Sequence, residues 1–193
     1  YQAWKGTPWG TQRGLVALGL FKDQTDIDSS PKQTFTSNVM PGDIKYKDIN
    51  GDGKIDSYDE VPICNSNVPR LQYGFGLEFH WKRLTVSALL EGVGQVNFLY
   101  GGNGFHPFNG GQTGNVLNIV ADAGNRWTPA SYSGTKDTEN PNARFPRLTY
   151  GENKNNNHAS TFWIADGSYV RLKNVQIMYD ITLPCFKKIG LQG

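Results

Sequence analysis

The sequence predicts an all-β chain: an open, curved antiparallel sheet of few strands, part of a transmembrane β-barrel, carrying two long extracellular loops. Three observations lead there. Apolar and polar residues alternate strictly along several segments. Very short and very long connections separate those segments, as in outer-membrane barrels. The composition, with 23 glycines, 12% aromatic and 19% charged residues, favours strands and loops over helices.

The clearest strand is Arg70–Trp81. Tyr73, Phe75, Leu77, Phe79 and Trp81 fall on one face, and Gln72, Gly74, Gly76, Glu78 and His80 on the other. The apolar face starts and ends on an amphipathic aromatic, as the girdles of a barrel do. Lys82-Arg83 then makes a tight turn, and Leu84, Val86, Ala88 and Leu90 continue the apolar face of a second strand. A third strand runs from Tyr169 to Ile181, with Val175, Ile177, Tyr179 and Ile181 opposite Asn174, Gln176 and Asp180. Gly14–Phe21 is a weaker candidate. These elements divide the chain into an outer loop at 22–69, a hairpin at 70–98, a second outer loop at 99–166 and a strand at 167–183. The second loop carries a short helix at Val116–Asp122, and its 151–160 tail reads as an exposed tip. A soluble β-sandwich produces the same alternation, so the strands alone leave both architectures open. Loops this long are uncommon inside a compact soluble domain.

The first loop contains Asp48-Ile49-Asn50-Gly51-Asp52-Gly53-Lys54-Ile55-Asp56-Ser57-Tyr58-Asp59. Its spacing is that of a twelve-residue calcium loop. Oxygen donors stand at Asp48, Asn50, Asp52, Asp56 and Asp59, and Lys54 would add its backbone carbonyl. Gly53 occupies the sharp turn, and Ile55 can anchor the loop by burial. Asp59 stands where EF-hands carry a longer, bidentate Glu, and Pro-marked extended segments replace the flanking helices. The expectation is one structural Ca²⁺. The competing reading is a string of Asx turns.

Other chemistry is sparse. A net charge of +2 and no Lys/Arg run exclude a nucleic-acid stripe. No catalytic motif appears, so the chain reads as a non-enzyme. If the apolar faces meet lipid, Glu78, His80 and Glu91 face the lumen and are candidate ligand contacts. The loop aromatics Phe105, Phe108, Trp127 and Trp163 could stack on sugar rings or pack among themselves.

Several segments resemble the SusC/RagA family of TonB-dependent outer-membrane transporters of Bacteroidetes. Pro41-Gly42-Asp43-Ile44-Lys45-Tyr46-Lys47-Asp48-Ile49-Asn50-Gly51-Asp52-Gly53-Lys54-Ile55-Asp56 is very similar to a family signature. Gly19-Leu20-Phe21 before Asp23–Asp28, Arg126-Trp127-Thr128-Pro129 and Phe162–Val175 match others in the same order. The resemblance implies a portion of the C-terminal half of a large outer-membrane barrel. Members import glycans or peptides using energy from TonB, under a SusD-like surface lipoprotein that acts as a lid. It also places Cys185 in a periplasmic turn, across the membrane from Cys64, so the two would not pair. The alternative function is a secreted, calcium-stabilised carbohydrate-binding β-sandwich. A dockerin-like module fits less well, since that family uses two loops with helices.

Overall fold

The computed structural model describes residues 6–108 and 115–181. In chain order the strands are β1 (Gln12–Gly14), β2 (Ala17–Leu20), β3 (Lys32–Gln33), β4 (Ile44–Tyr46), β5 (Lys54–Ile55), β6 (Val61–Cys64), β7 (Leu71–Trp81), β8 (Leu84–Gly94), β9 (Asn97–Leu99), β10 (Ile164–Asp166) and β11 (Tyr169–Tyr179). They fall into two compact units, one built from residues up to 67 and 97–165, the other from 68–96 and 166 onward.

In the second unit, β7, β8 and β11 form one antiparallel sheet in the order β11-β8-β7. Tyr73 pairs with Gly92, Leu77 with Ala88 and Trp81 with Leu84, so the hairpin closes through Lys82-Arg83 alone. Lys82 takes a positive φ of 56° to make that turn. The register gives one face that is apolar throughout and one that is mostly polar. Leu71, Tyr73, Phe75, Leu77, Phe79 and Trp81 share a face with Leu84, Val86, Ala88 and Leu90, and with Val170, Leu172, Val175, Ile177 and Tyr179. The opposite face carries Gln72, Glu78, His80, Ser87, Glu91, Arg171, Asn174 and Gln176, with Leu89, Val93 and Met178 among them. The apolar residues of β7 and β11 are exposed.

One irregularity makes this sorting work. In β11 the apolar face is carried by even-numbered Val170 and Leu172 and then by odd-numbered Val175, Ile177 and Tyr179, a break in period two. The register with β8 shifts between Leu172 and Asn174, so Lys173 is absorbed in a bulge. An extra residue moves all following side chains to the other face, which here returns Val175, Ile177 and Tyr179 to the apolar one.

The first unit contains both long connections, and they are not structureless. Leu15, Leu20, Ile44, Tyr46, Ile55, Trp127 and Trp163 form its core. The expected Gly14–Phe21 strand splits into β1 and β2. At the break, Leu15 N–H donates to Ala159 O (2.9 Å) and Leu15 O accepts from Thr161 N–H (3.0 Å). β2 pairs with β4, β1 with β6, β9 with β10, and β3 runs parallel to β5. A helical turn at Asn118–Ala121 lies inside the range expected for one.

The 151–160 tail is a correction. It was expected as an exposed tip, yet Asn155 and Asn156 are buried. Asn155 Nδ2 donates to Ile44 O (3.0 Å), and Ile44 N–H donates to Asn156 Oδ1 (2.9 Å). Gln33 joins them: its Nε2 donates to Asn155 Oδ1 (2.8 Å) and its Oε1 accepts from Tyr46 N–H (2.8 Å). The amides thus satisfy the backbone of a short central strand, where an unpaired buried N–H or C=O costs ~1–3 kcal/mol. Cys64 is a half-buried free thiol, and burial pushes its pKa up. Cys185 lies outside the described residues.

Candidate functional site

The acidic loop, the polar sheet face and the loop aromatics are the three places where sequence puts chemistry.

In the acidic loop, Gly51 and Gly53 take positive φ of 76° and 80°, and Ile55 is fully buried in β5. The turn and the anchor therefore sit where the spacing put them. The carboxylates bind backbone. Asp48 accepts from Gly51 N–H (2.6 Å) and Gly53 N–H (2.8 Å). Asn50 Oδ1 accepts from Asp52 N–H, and Asp52 Oδ1 from Lys54 N–H, both at 2.9 Å. Asp56 Oδ1 accepts from Tyr58 N–H (2.8 Å). Among the described residues, no three His, Cys, Asp or Glu side chains gather as they would around a metal ion.

A carboxylate has about four acceptor sites and an amide oxygen two, so Asp48, Asp52, Asp56 and the Asn50 oxygen keep lone pairs beyond these bonds. That hard-oxygen set fits Ca²⁺. Asp59 differs. It is fully buried, and its two oxygens hold Ile49 N–H (2.8 Å), Asn50 N–H (3.3 Å) and Asp56 N–H (3.0 Å). Asp56 and Asp59 form a capping box around the 3₁₀ turn Ser57–Asp59. Asp59 ties both ends of the loop together, a role that the ligand spacing did not announce.

On the sheet, Glu78, His80 and Glu91 do share the polar face. His80 Nε2 lies 3.1 Å from Glu78 Oε1, and its Nδ1 is 2.9 Å from Thr85 Oγ1. Glu91 receives Arg171 Nη2 (3.3 Å) and Lys173 Nζ. Sequence reasoning missed both cations, because the bulge that brings Lys173 alongside Glu91 hides their parity.

The aromatics divide. Trp127 and Trp163 are buried, and the indole of Trp163 donates to Asn156 O (2.7 Å). Both are core side chains; Trp163 is no platform for a sugar, which corrects that expectation, while Trp127 packs in the core and also borders an open cleft. Phe105 is exposed and stacks on Tyr100 with centroids 4.5 Å apart. His106 packs against Trp163 at 4.8 Å, and burial lowers its pKa against the opposing pull of a hydrogen bond with the Tyr100 backbone.

The geometry so far is that of a sheet with one apolar and one polar face, plus a compact loop unit. No protein-family model matches the chain. It is similar over 93% of its length to two proteins of Formosa agariphila: TonB-dependent receptor P26, 32% identical over 181 residues, and TonB-dependent receptor P3, 26% identical over 185. These relatives support a portion of a TonB-dependent receptor. The chain spans only 16% and 15% of their lengths. TonB-dependent receptors are outer-membrane transporters and not enzymes.

Proposed function

We propose that this chain supplies strands and outer loops to a SusC/RagA-type TonB-dependent receptor that imports oligomeric nutrients, glycans or peptides, through the bacterial outer membrane. One observation carries the reading: a three-stranded sheet with one face apolar throughout and the other mostly polar. Each strand has eleven residues. At ~3.3 Å per residue and a tilt of about 40°, that covers roughly 25–28 Å of height, the thickness of the lipid-facing band. On β7 the aromatic-bounded stretch from Tyr73 to Trp81 covers roughly 20 Å of that height. The opposite face, with Glu78, His80, Glu91, Arg171 and Lys173, suits a wet lumen.

In this reading the two long connections are outer loops, and a SusD-like lipoprotein would close over the barrel and its cargo. TonB would engage parts of the receptor outside this chain. Asp48, Asn50, Asp52 and Asp56, with the Lys54 carbonyl, would hold one Ca²⁺. The ion would supply charge neutralisation among three closely spaced carboxylates and one amide, and Asp59 would keep the loop closed around it. Its role is structural.

Deleting the parent gene tests the transport reading. Uptake of one oligomeric nutrient should be lost while its hydrolysis at the cell surface continues. Hydrolysis by the purified receptor, lost on mutating acids of this chain, would instead make it an enzyme. A detergent-free monomer would favour the β-sandwich.

A further inference from the structure

The first unit has an open cleft of about 780 Å³ that the acidic loop does not touch. Its volume is that of a site for a small ligand. Phe108, Trp127, Tyr132 and Tyr150 supply aromatic walls, and Asn38 and Arg126 supply polar groups. Tyr132 is 87% exposed and Tyr150 78% exposed, far more than packing requires of such rings. Phe108 holds Tyr150 from one side, with centroids 6.2 Å apart. Among the described residues, no Asp or Glu lines the cleft.

Arg126 is the unbalanced group. Its Nη1 donates to Thr128 Oγ1 (2.9 Å), while its buried Nε has no hydrogen-bond partner among the described residues. No carboxylate lies within ion-pair distance of it among them. Arg147 also borders the cleft, but Asp43 neutralises it. The cleft therefore carries one uncompensated guanidinium beside exposed aromatic rings. A guanidinium so placed favours a carboxylate or sulfate, which its two η nitrogens can meet end-on. Flat aromatic faces favour a ring with an apolar side.

We infer that this cleft is a subsite for an acidic carbohydrate, with Tyr132 and Tyr150 meeting the sugar rings and Arg126 the acidic group. The inference rests on the transport reading for its biological sense and names the class of cargo. An acidic peptide fits less well. Extended peptides add to a strand edge and helical ones fill an apolar groove between helices. The six residues that carry the argument lie on no strand, and among them only Tyr132 is on a helix, the four-residue Ala130–Ser133.

The test is gel retardation of the full-length receptor in detergent. The gels contain polygalacturonate, alginate or chondroitin sulfate, each matched with its carboxyl-reduced or desulfated form, and a further gel contains poly-glutamate. At least one acidic glycan should retard the receptor, and its neutralised form should retard it at least tenfold less. Tyr132→Ala, at an exposed position that does not support the fold, should weaken retardation about tenfold. Arg126→Gln should remove the preference for the acidic form, and Arg126→Lys should keep part of it. No retardation by any acidic glycan, equal retardation by the neutralised forms, equal retardation by poly-glutamate, or unchanged behaviour of Tyr132→Ala and Arg126→Gln each overturns the assignment. Gene deletion separates the two readings. Loss of uptake of a neutral nutrient alone defeats the cleft and leaves the transporter. Acid-dependent retardation without any uptake defect does the reverse.

Discussion

The guanidinium of Arg147 lies flat against the fully buried carboxylate of Asp43, with Nε–Oδ1 at 2.7 Å and Nη2–Oδ2 at 3.2 Å. Asn153 Nδ2 (3.0 Å), Asn156 Nδ2 (2.9 Å) and Met40 N–H (2.9 Å) complete the shell. Asp43 thus ties its own loop to the 147–156 stretch, more than a hundred residues away. Removing one partner of a buried pair leaves the other charge uncompensated, at about 3–5 kcal/mol. Asp43→Ala should therefore lower the urea midpoint for protease protection of residues 22–165 sharply. The double variant Asp43→Asn with Arg147→Met should recover part of the loss. A loss under about 1 kcal/mol for Asp43→Ala would mean that the network is not holding the unit.

Gly42, the neighbour of Asp43, has a φ of 85°, and a Cβ there would enter the Trp127 indole. Gly42→Ala combines the left-handed penalty of roughly 1–2 kcal/mol with overpacking of roughly 1–3 kcal/mol. Gly51 is the control. Its φ is 76°, and nothing lies within 4 Å of an added Cβ. Gly51→Ala should cost only the backbone part. Thermal melting of the two variants should rank Gly42→Ala well below Gly51→Ala.

The sheet was legible in the sequence because period two is a local signal. Tyr73 to Trp81 announces its own faces. Beyond Lys173 the parity reverses, and only pairing with β8 reveals why. The core of the first unit was less legible. Asn155 and Asn156 are polar residues in a polar stretch, and their burial depends on meeting β4 more than a hundred residues away. The calcium-like spacing was readable, but the closing role of Asp59 was not, since capping and ligation ask for the same carboxylate. Trp127 and Trp163 suited packing better than sugar stacking, but only their neighbours decide between the two.

Calcium should order the loop through Asp48, Asn50, Asp52 and Asp56. Asp52→Ala should increase proteolysis between Asp43 and Pro62 in the receptor, and a chelator should do the same to wild type while adding nothing to the variant. Asp59→Asn should loosen the loop with or without the ion, because it disturbs backbone bonds rather than ligation. If millimolar calcium changes neither protease sensitivity nor melting of the wild type, the loop is a string of Asx turns.

His106 gives the first unit an acid limb. Burial lowers its folded pKa below the ordinary 6.5, so the unfolded chain binds the proton more tightly. The stability is full above about pH 6.5 and declines as pH falls from there toward the folded pKa. Asp26 acts in a lower window. The hydrogen bond from Lys45 holds its carboxyl below 3.8, and that stabilisation is present above 3.8 and lost as pH falls through the lowered value. Melting curves from pH 7.5 to 5 should fall for wild type and flatten for His106→Phe. An identical slope in the two would remove His106 from the account.

The apolar sheet face should be lipid-facing, and depth should matter. Leu77 sits mid-strand opposite Ala88, while Trp81 sits at the rim opposite Leu84. A cation at the bilayer midplane of a barrel costs ~2–4 kcal/mol, falling to about 0–1 at the interfaces. Leu77→Arg should therefore deplete the heat-modifiable, folded receptor in outer-membrane fractions, and Trp81→Arg should deplete it much less. Glu78→Arg, one residue from Leu77 but on the polar face, should assemble close to wild type. Normal assembly of Leu77→Arg would mean that this face does not meet lipid. Equal damage from Leu77→Arg and Glu78→Arg would mean a sheet covered by protein on both sides, and the barrel reading would give way to a sandwich.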